Sequence, residues 1–175
     1  MLQLIQRSTW NAWDYLLTDA TGQALGEVAR SRTPQATNAR LQQVDPAEAI
    51  AAEIRLPEGC YRIRYEILRR GFTNDHAWWL LDPTDRCLAR IEQQTGERTP
   101  RQHRIVLPQP GCLRIEGGRF SPMRARIVDS SGHTRLRIGE PGWFSWKRTL
   151  HIDGDVADPA TGAFFAIYLL TCLTG

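Results

Sequence analysis

At 175 residues the chain has the size of one domain, large enough to bury a core without disulfides or a metal. Hydrophobic residues at 42% and charged residues at 23%, with 14 glycines and 10 prolines, exclude a disordered or low-complexity chain. A formal charge of +3 excludes the strong positive field of a protein that lives on nucleic acid, which is not expected as a partner.

The stretch Met1 to Arg7 lacks the long apolar core and small-residue cleavage site of a signal peptide, so a cytoplasmic protein is expected. Cys60, Cys87, Cys112 and Cys172 are widely spaced and form no C-x-x-C, which fits a reducing compartment and no structural zinc. Lys147 is the only lysine among 22 basic residues; a coding bias explains this as readily as a preference for forked, anion-matching side chains.

Trp10 and Trp13 precede the first element, an apolar run from Tyr15 stopped at Asp19 and followed by Ala20-Thr21-Gly22. The same pattern returns at Trp78 to Asp85 and at Ala125 to Gly132, in each case with Asp at the first turn position and Gly or Asp at the fourth. This is type I turn chemistry, so each run should fold back as a hairpin. A four-residue loop places Tyr15 opposite Gly26, Trp78 opposite Ala89 and Ala125 opposite Leu136. It also sets Leu17 and Val28, Leu80 and Ile91, and Ile127 and Ile138 on the inward face, because residues two apart share a face.

Between the hairpins, Ile54 to Ile63 and Ile105 to Ile115 each read as strand, Pro-Gly turn and strand, with Cys60 and Cys112 in equivalent positions that imply a shared packing role. The polar stretches Arg30 to Gln43 and Gln93 to Arg104 read as long loops, with a short helix at Asp45 to Glu48 capped by Asp45. From Pro159 to Gly175 there is no charge; Asp158 as N-cap and Pro159 at the first helical position predict a helix apolar on every face. Such a helix must be buried. About 15 residues span roughly 22 Å, short of a bilayer core of roughly 30 Å, so a protein interior suits it better than a membrane anchor.

Strands that close around this helix would remove every sheet edge and bury every helix face. The repeated strand, Asp-turn, strand units, the stretch Gly142-Trp143-Phe144-Ser145-Trp146-Lys147-Arg148 and the closing helix from Pro159 to Leu173 together resemble the tubby C-terminal-like fold of tubby, phospholipid scramblases and LURP-one-related proteins. The resemblance implies one domain over residues 1–175, an antiparallel β-barrel enclosing the C-terminal helix. Members of that superfamily include phosphoinositide-binding and membrane-associated proteins, but the lipid-binding lysines of tubby have no counterpart here. A β-sandwich or jelly roll with the helix packed outside, binding carbohydrate or protein, is the alternative.

Candidate binding residues come from the third hairpin. The expected register sets Arg124 opposite Arg137 and Arg126 opposite Arg135 on the outward face, where an anion such as a phosphate head group would relieve the repulsion. A solvated face with acidic neighbours is the plainer reading. Trp143, Trp146, Lys147 and Arg148 add aromatic anchors beside positive charge, a mixture suited to the surface of an anionic membrane, although a core role for the tryptophans is the simpler account. Asp153-Gly154-Asp155 lacks the further ligands of a calcium loop and reads as a turn. His76, His103, His133 and His151 show no metal-ligand spacing, and neither G-x-S-x-G, a phosphate-cradling glycine loop nor H-E-x-x-H occurs. No cofactor and no catalytic activity is therefore expected; a small hydrolase or transferase, with a Cys/His pair such as Cys60 or Cys112 with His103, is the second alternative. The leading expectation is a non-enzymatic binding or scaffold domain whose partner is an anionic membrane lipid or a protein.

Overall fold

The computed structural model describes residues 1–8, 14–30, 50–69, 75–94, 102–106, 112–117, 124–140, 148–155 and 158–173. Its strands are β1 (Leu2–Gln6), β2 (Asp14–Asp19), β3 (Ala24–Arg30), β4 (Ile50–Leu56), β5 (Gly59–Arg69), β6 (Asp75–Leu81), β7 (Cys87–Gln94), β8 (Gln102–Val106), β9 (Cys112–Gly117), β10 (Arg124–Val128), β11 (Thr134–Gly139) and β12 (Thr149–Gly154), followed by one helix, α1 (Pro159–Leu173). Each strand pairs antiparallel with its sequence neighbours, and β1 also pairs with β12, so the sheet is a closed barrel. Closure overturns the sandwich alternative, because the first and last strands satisfy each other and leave no edge.

The helix fills the barrel. Every residue from Ala160 to Leu170 is buried, and α1 touches β1, β4, β6 and β12 on different sides of the wall. Its apolar sequence now has a cause, since each face meets inward-pointing strand residues such as Leu4, Leu17, Ile54, Ile63, Leu80, Ile91, Ile127 and Ile152. The edge of Trp78 meets Tyr168, with ring centroids 5.7 Å apart at 79°. At the start of α1, Asp158 caps as expected: its carboxylate accepts from the Thr161 N–H at 2.7 Å and from the Thr161 hydroxyl at 2.8 Å. The last turn of α1 carries no basic residue of its own. Arg30 of β3 reaches in instead and donates to the Thr171 hydroxyl at 3.1 Å, a cation placed where the helix dipole is negative. Arg30 also bonds Tyr15; burial pushes the Tyr15 phenol up and the Arg30 guanidinium down from their ordinary values.

The three Asp-turn hairpins share one geometry. In each, the aspartate Oδ1 accepts from the N–H two residues on (Thr21 2.8 Å, Thr84 2.8 Å, Ser131 3.0 Å) and from that residue's hydroxyl. It also accepts from the N–H four residues on (Gln23 2.9 Å, Arg86 2.9 Å, His133 3.0 Å). The fourth turn position is left-handed in all three, at Gly22 (φ 86), Asp85 (φ 66) and Gly132 (φ 85). This is a type I turn closed by a left-handed residue, a three-residue loop in place of the expected four. Just beyond it each returning strand carries one extra residue, Leu25, Leu88 or Arg135, in a β-bulge.

The shorter loop and the bulge each shift the partner by one, so the expected register is off by two: Tyr15 faces Val28, Trp78 faces Ile91 and Ala125 faces Ile138. A shift of two preserves the inward face. Leu17, Val28, Leu80, Ile91, Ile127 and Ile138 are all buried as expected. Gly26 falls opposite Leu17, where a Cβ would lie 2.2 Å from the Arg55 carbonyl oxygen of β4, so no larger residue fits.

The polar run Gln93 to Arg104, expected as a loop throughout, begins and ends in strand, with Gln93 opposite His103 and Gln94 opposite Gln102. Ladder pairing with β6 carries β7 through residues of weak strand propensity. Of the run Arg30 to Gln43, Arg30 closes β3; the rest, and the Asp45 to Glu48 helix, lie outside the described residues. Cys60 is exposed, which overturns a packing role for it: opposite Arg55 on β4 its side chain points outward.

Candidate functional site

The outward face of β9 to β12 is built by register. Glu116, Arg126, Arg137 and Asp153 stand opposite one another on successive strands and form one row around the barrel. The adjacent row holds Arg124, Gly139 and His151. Glycine in the middle of that row leaves a gap, and a groove of about 780 Å³ opens there, bordered by Arg124, Arg126, Arg137 and His151, with Glu116, Glu140 and Asp153 also at its margin. Two strands therefore gather three guanidinium groups around a position without a side chain.

The expected pairs were Arg124 with Arg137 and Arg126 with Arg135; the observed neighbours are Arg124 with Gly139 and Arg126 with Arg137. The shorter loop and the bulge are together the reason. The bulge makes Arg135 the extra residue of its strand, and Arg135 turns back to the hairpin, its Nε donating to Asp129 Oδ2 at 2.9 Å. Arg135 thus leaves the group of four. The corresponding residues of the other hairpins, Leu25 and Leu88, pack against the core.

Acidic neighbours take up part of the remaining charge. Arg126 pairs with Glu116 at 3.3 Å, Glu116 is shared with Arg114 at 3.0 Å, and Arg148 approaches Glu140 at 3.7 Å. These contacts are solvent-exposed and worth at most about 1 kcal/mol each, so an incoming anion can compete for them. Among the described residues, no carboxylate lies within 4.0 Å of Arg124 or Arg137. The Arg148 backbone is fixed against β1, its N–H donating to Gln6 Oε1 at 3.0 Å. Trp143, Trp146 and Lys147, the aromatic part of the expected surface, lie outside the described residues, as do Trp10 and Trp13.

One contact in the described chain resembles nucleophile chemistry: the Ser131 hydroxyl is 2.7 Å from His133 Nδ1 and 2.5 Å from Asp129 Oδ1. Thr21 and Thr84 make the same bond to their turn aspartates with no histidine beside them. A hydroxyl has one proton, and here it goes to the carboxylate that organises the turn, so His133 is placed to donate to Ser131 rather than to deprotonate it. The carboxyl of Asp129 is held down to about 2, chiefly by the Ser131 hydroxyl, with the His133 and Ser131 N–H groups and Arg135 adding to it. Among the described residues no group of His, Cys, Asp and Glu could hold a metal ion.

Sequence reasoning missed Gly139 and His151. Gly139 was reachable, since it shares a face with Arg137 two residues before it. His151 was not, because the register of β11 with β12 is fixed by no tight turn. Comparisons with family models, with curated proteins and with solved structures return no match.

Proposed function

We propose that the protein is a non-enzymatic binding domain that takes a phosphate-bearing anion over Gly139, between Arg124, Arg137 and His151, and thereby docks on anionic lipid at the cytoplasmic face of a membrane. The observation that carries this reading is the pair Arg124 and Arg137, two guanidinium groups at one groove with no carboxylate partner among the described residues. Guanidinium forks match phosphate oxygens in shape and charge, and the exposed Arg126 adds a third once Glu116 yields. The closed barrel around an apolar helix, the architecture that the tubby-like resemblance implies, supports the same reading. Among the described residues no helix is long and apolar enough to cross a membrane, so contact would be made by the outer surface.

The test is flotation with phosphatidylcholine vesicles carrying phosphatidylserine or phosphatidylinositol phosphate, at low and at high salt. Binding at low salt that falls as salt rises, and that is lost in Arg124→Glu/Arg137→Glu, is expected. No flotation at low salt, or flotation that the double variant leaves unchanged, sinks the proposal.

A further inference from the structure

The opposite side of the barrel carries a second arrangement of arginine and tryptophan, built differently. Ile50, Arg64, Trp79, Arg90 and Val106 stand in one outward row across β4 to β8. The Trp79 ring lies between two guanidinium groups, with the Arg90 carbon 4.1 Å and the Arg64 carbon 5.4 Å from its centroid. The indole N–H is already used, donating to Glu66 Oε2 at 3.2 Å. The two arginines are not equivalent. Arg90 pairs with Glu92 at 2.7 Å, whereas no carboxylate among the described residues pairs with Arg64. The Nε–H of each arginine is closed off from solvent and meets no acceptor, so the difference between them lies in the carboxylate partner that Arg90 has and Arg64, among the described residues, lacks. A buried donor without an acceptor is costly, and of the two guanidinium groups the one with no such carboxylate on its fork, Arg64, is open to a ligand.

Arg64 borders a groove of about 410 Å³ together with Ile50, Trp79, Leu81 and Cys87, and Arg90 does not. Arg62, at the same groove, is already paired with Asp85. The groove therefore offers one unpaired guanidinium fork above an apolar floor, with a carboxylate at its margin. A phosphate dianion would meet repulsion from Asp85, and its second charge would find no second unpaired cation. A carboxylate brings a single charge and two acceptor oxygens in the geometry of the fork, and an attached ring or short chain would cover Ile50 and Leu81.

We infer that this groove is a binding site for a small carboxylate with an apolar body, held by Arg64 beside Trp79. It is independent of the phosphate site proposed on β10 to β12. Arg64 sits farther from the indole than Arg90, so its fork can receive the carboxylate while the closer Arg90 holds the ring in place. The apolar part of the ligand lies along Leu81.

The experiment is a titration of the intact protein with sodium benzoate and, separately, inorganic phosphate, read on the arginine Nε–H resonances by NMR and on tryptophan fluorescence, with Trp79→Phe identifying the responding indole. Benzoate is expected to shift the Arg64 resonance saturably at roughly 1–10 mM, as suits so small a ligand, with phosphate far weaker. Arg64→Gln is expected to weaken benzoate binding about tenfold or more, and Arg64→Lys, which keeps the charge and loses the fork, to weaken it severalfold. Arg124→Glu/Arg137→Glu should leave it unchanged. No saturable shift up to about 50 mM benzoate, an equal response to phosphate, or benzoate binding undiminished in folded Arg64→Gln or Arg64→Lys would overturn the inference.

Discussion

The hairpins β6–β7 and β10–β11 are the same object on the inside and different objects on the outside. Both turn on an aspartate with the same hydrogen bonds, both carry one bulged residue, and both send buried aliphatic residues toward α1. Outward, one presents Trp79 stacked between arginines and the other presents arginines around a glycine. The turn and the inward positions are constrained by packing, while the outward positions are free to carry chemistry. A substitution should thus act on stability or on binding according to the face it occupies.

The largest effect should come from the shared interior. Phe164→Ala removes a fully buried ring from the middle of α1 and is expected to cost about 3–5 kcal/mol in urea unfolding, since surrounding strands cannot collapse into the space. A loss below about 1 kcal/mol would mean that the helix is not the centre of the core. Next is the N-cap: Asp158→Ala should cost about 1 kcal/mol and Asp158→Asn much less, read by the same unfolding curves.

Acid should separate the three turns. The Asp129 carboxyl is depressed to about 2 from an ordinary 3.8, and those of Asp19 and Asp82 are lowered as well. A depressed carboxyl contributes stability above its unfolded value and loses it as pH falls, so the third turn should lose its contribution between about pH 4 and 2. In Asp129→Asn this slope of stability against pH should flatten, and the variant should converge with the parent near pH 2. A parallel slope in both proteins would place the acid sensitivity elsewhere.

The smallest changes sharpen the comparison most. Asp85 holds the left-handed position that glycine fills in the other two turns. Asp85→Gly should therefore stabilise by about 0.5–1 kcal/mol, the relief of backbone strain exceeding the loss of the exposed pair with Arg62. On the outer face of β10–β11, Arg124→Glu/Arg137→Glu should shift unfolding by no more than about 0.5 kcal/mol while removing vesicle binding.

The inward face was legible because an aspartate that ends an apolar run marks the turn, and the period of two then assigns the faces. Exact partners were not legible. Leu25 and Leu88 read as ordinary strand residues, and nothing about them announces an extra position; a loop one residue shorter and a bulge one residue longer sum to a shift that leaves parity intact. That is why Leu17 and Ile138 fell correctly inward while Arg135 was assigned to the wrong group. On the outer surface, Arg124, Arg126 and Arg137 were readable from one hairpin. The groove they border needs His151 from β12, whose alignment depends on pairing around the whole barrel. The row Ile50, Arg64, Trp79, Arg90 and Val106 likewise spans five strands and has no local signature.

The pairing of β1 with β12 joins Leu2 to Ile152 and Ile5 to Thr149, so the barrel's seam is formed by the residues most distant along its sheet. The helix that fills the interior follows β12 in the chain. Until that seam zips, β1 and β12 are open edges and the apolar helix has no enclosure. Folding should accordingly be slow and governed by long-range encounter, with an unsealed, aggregation-prone sheet as its hazard.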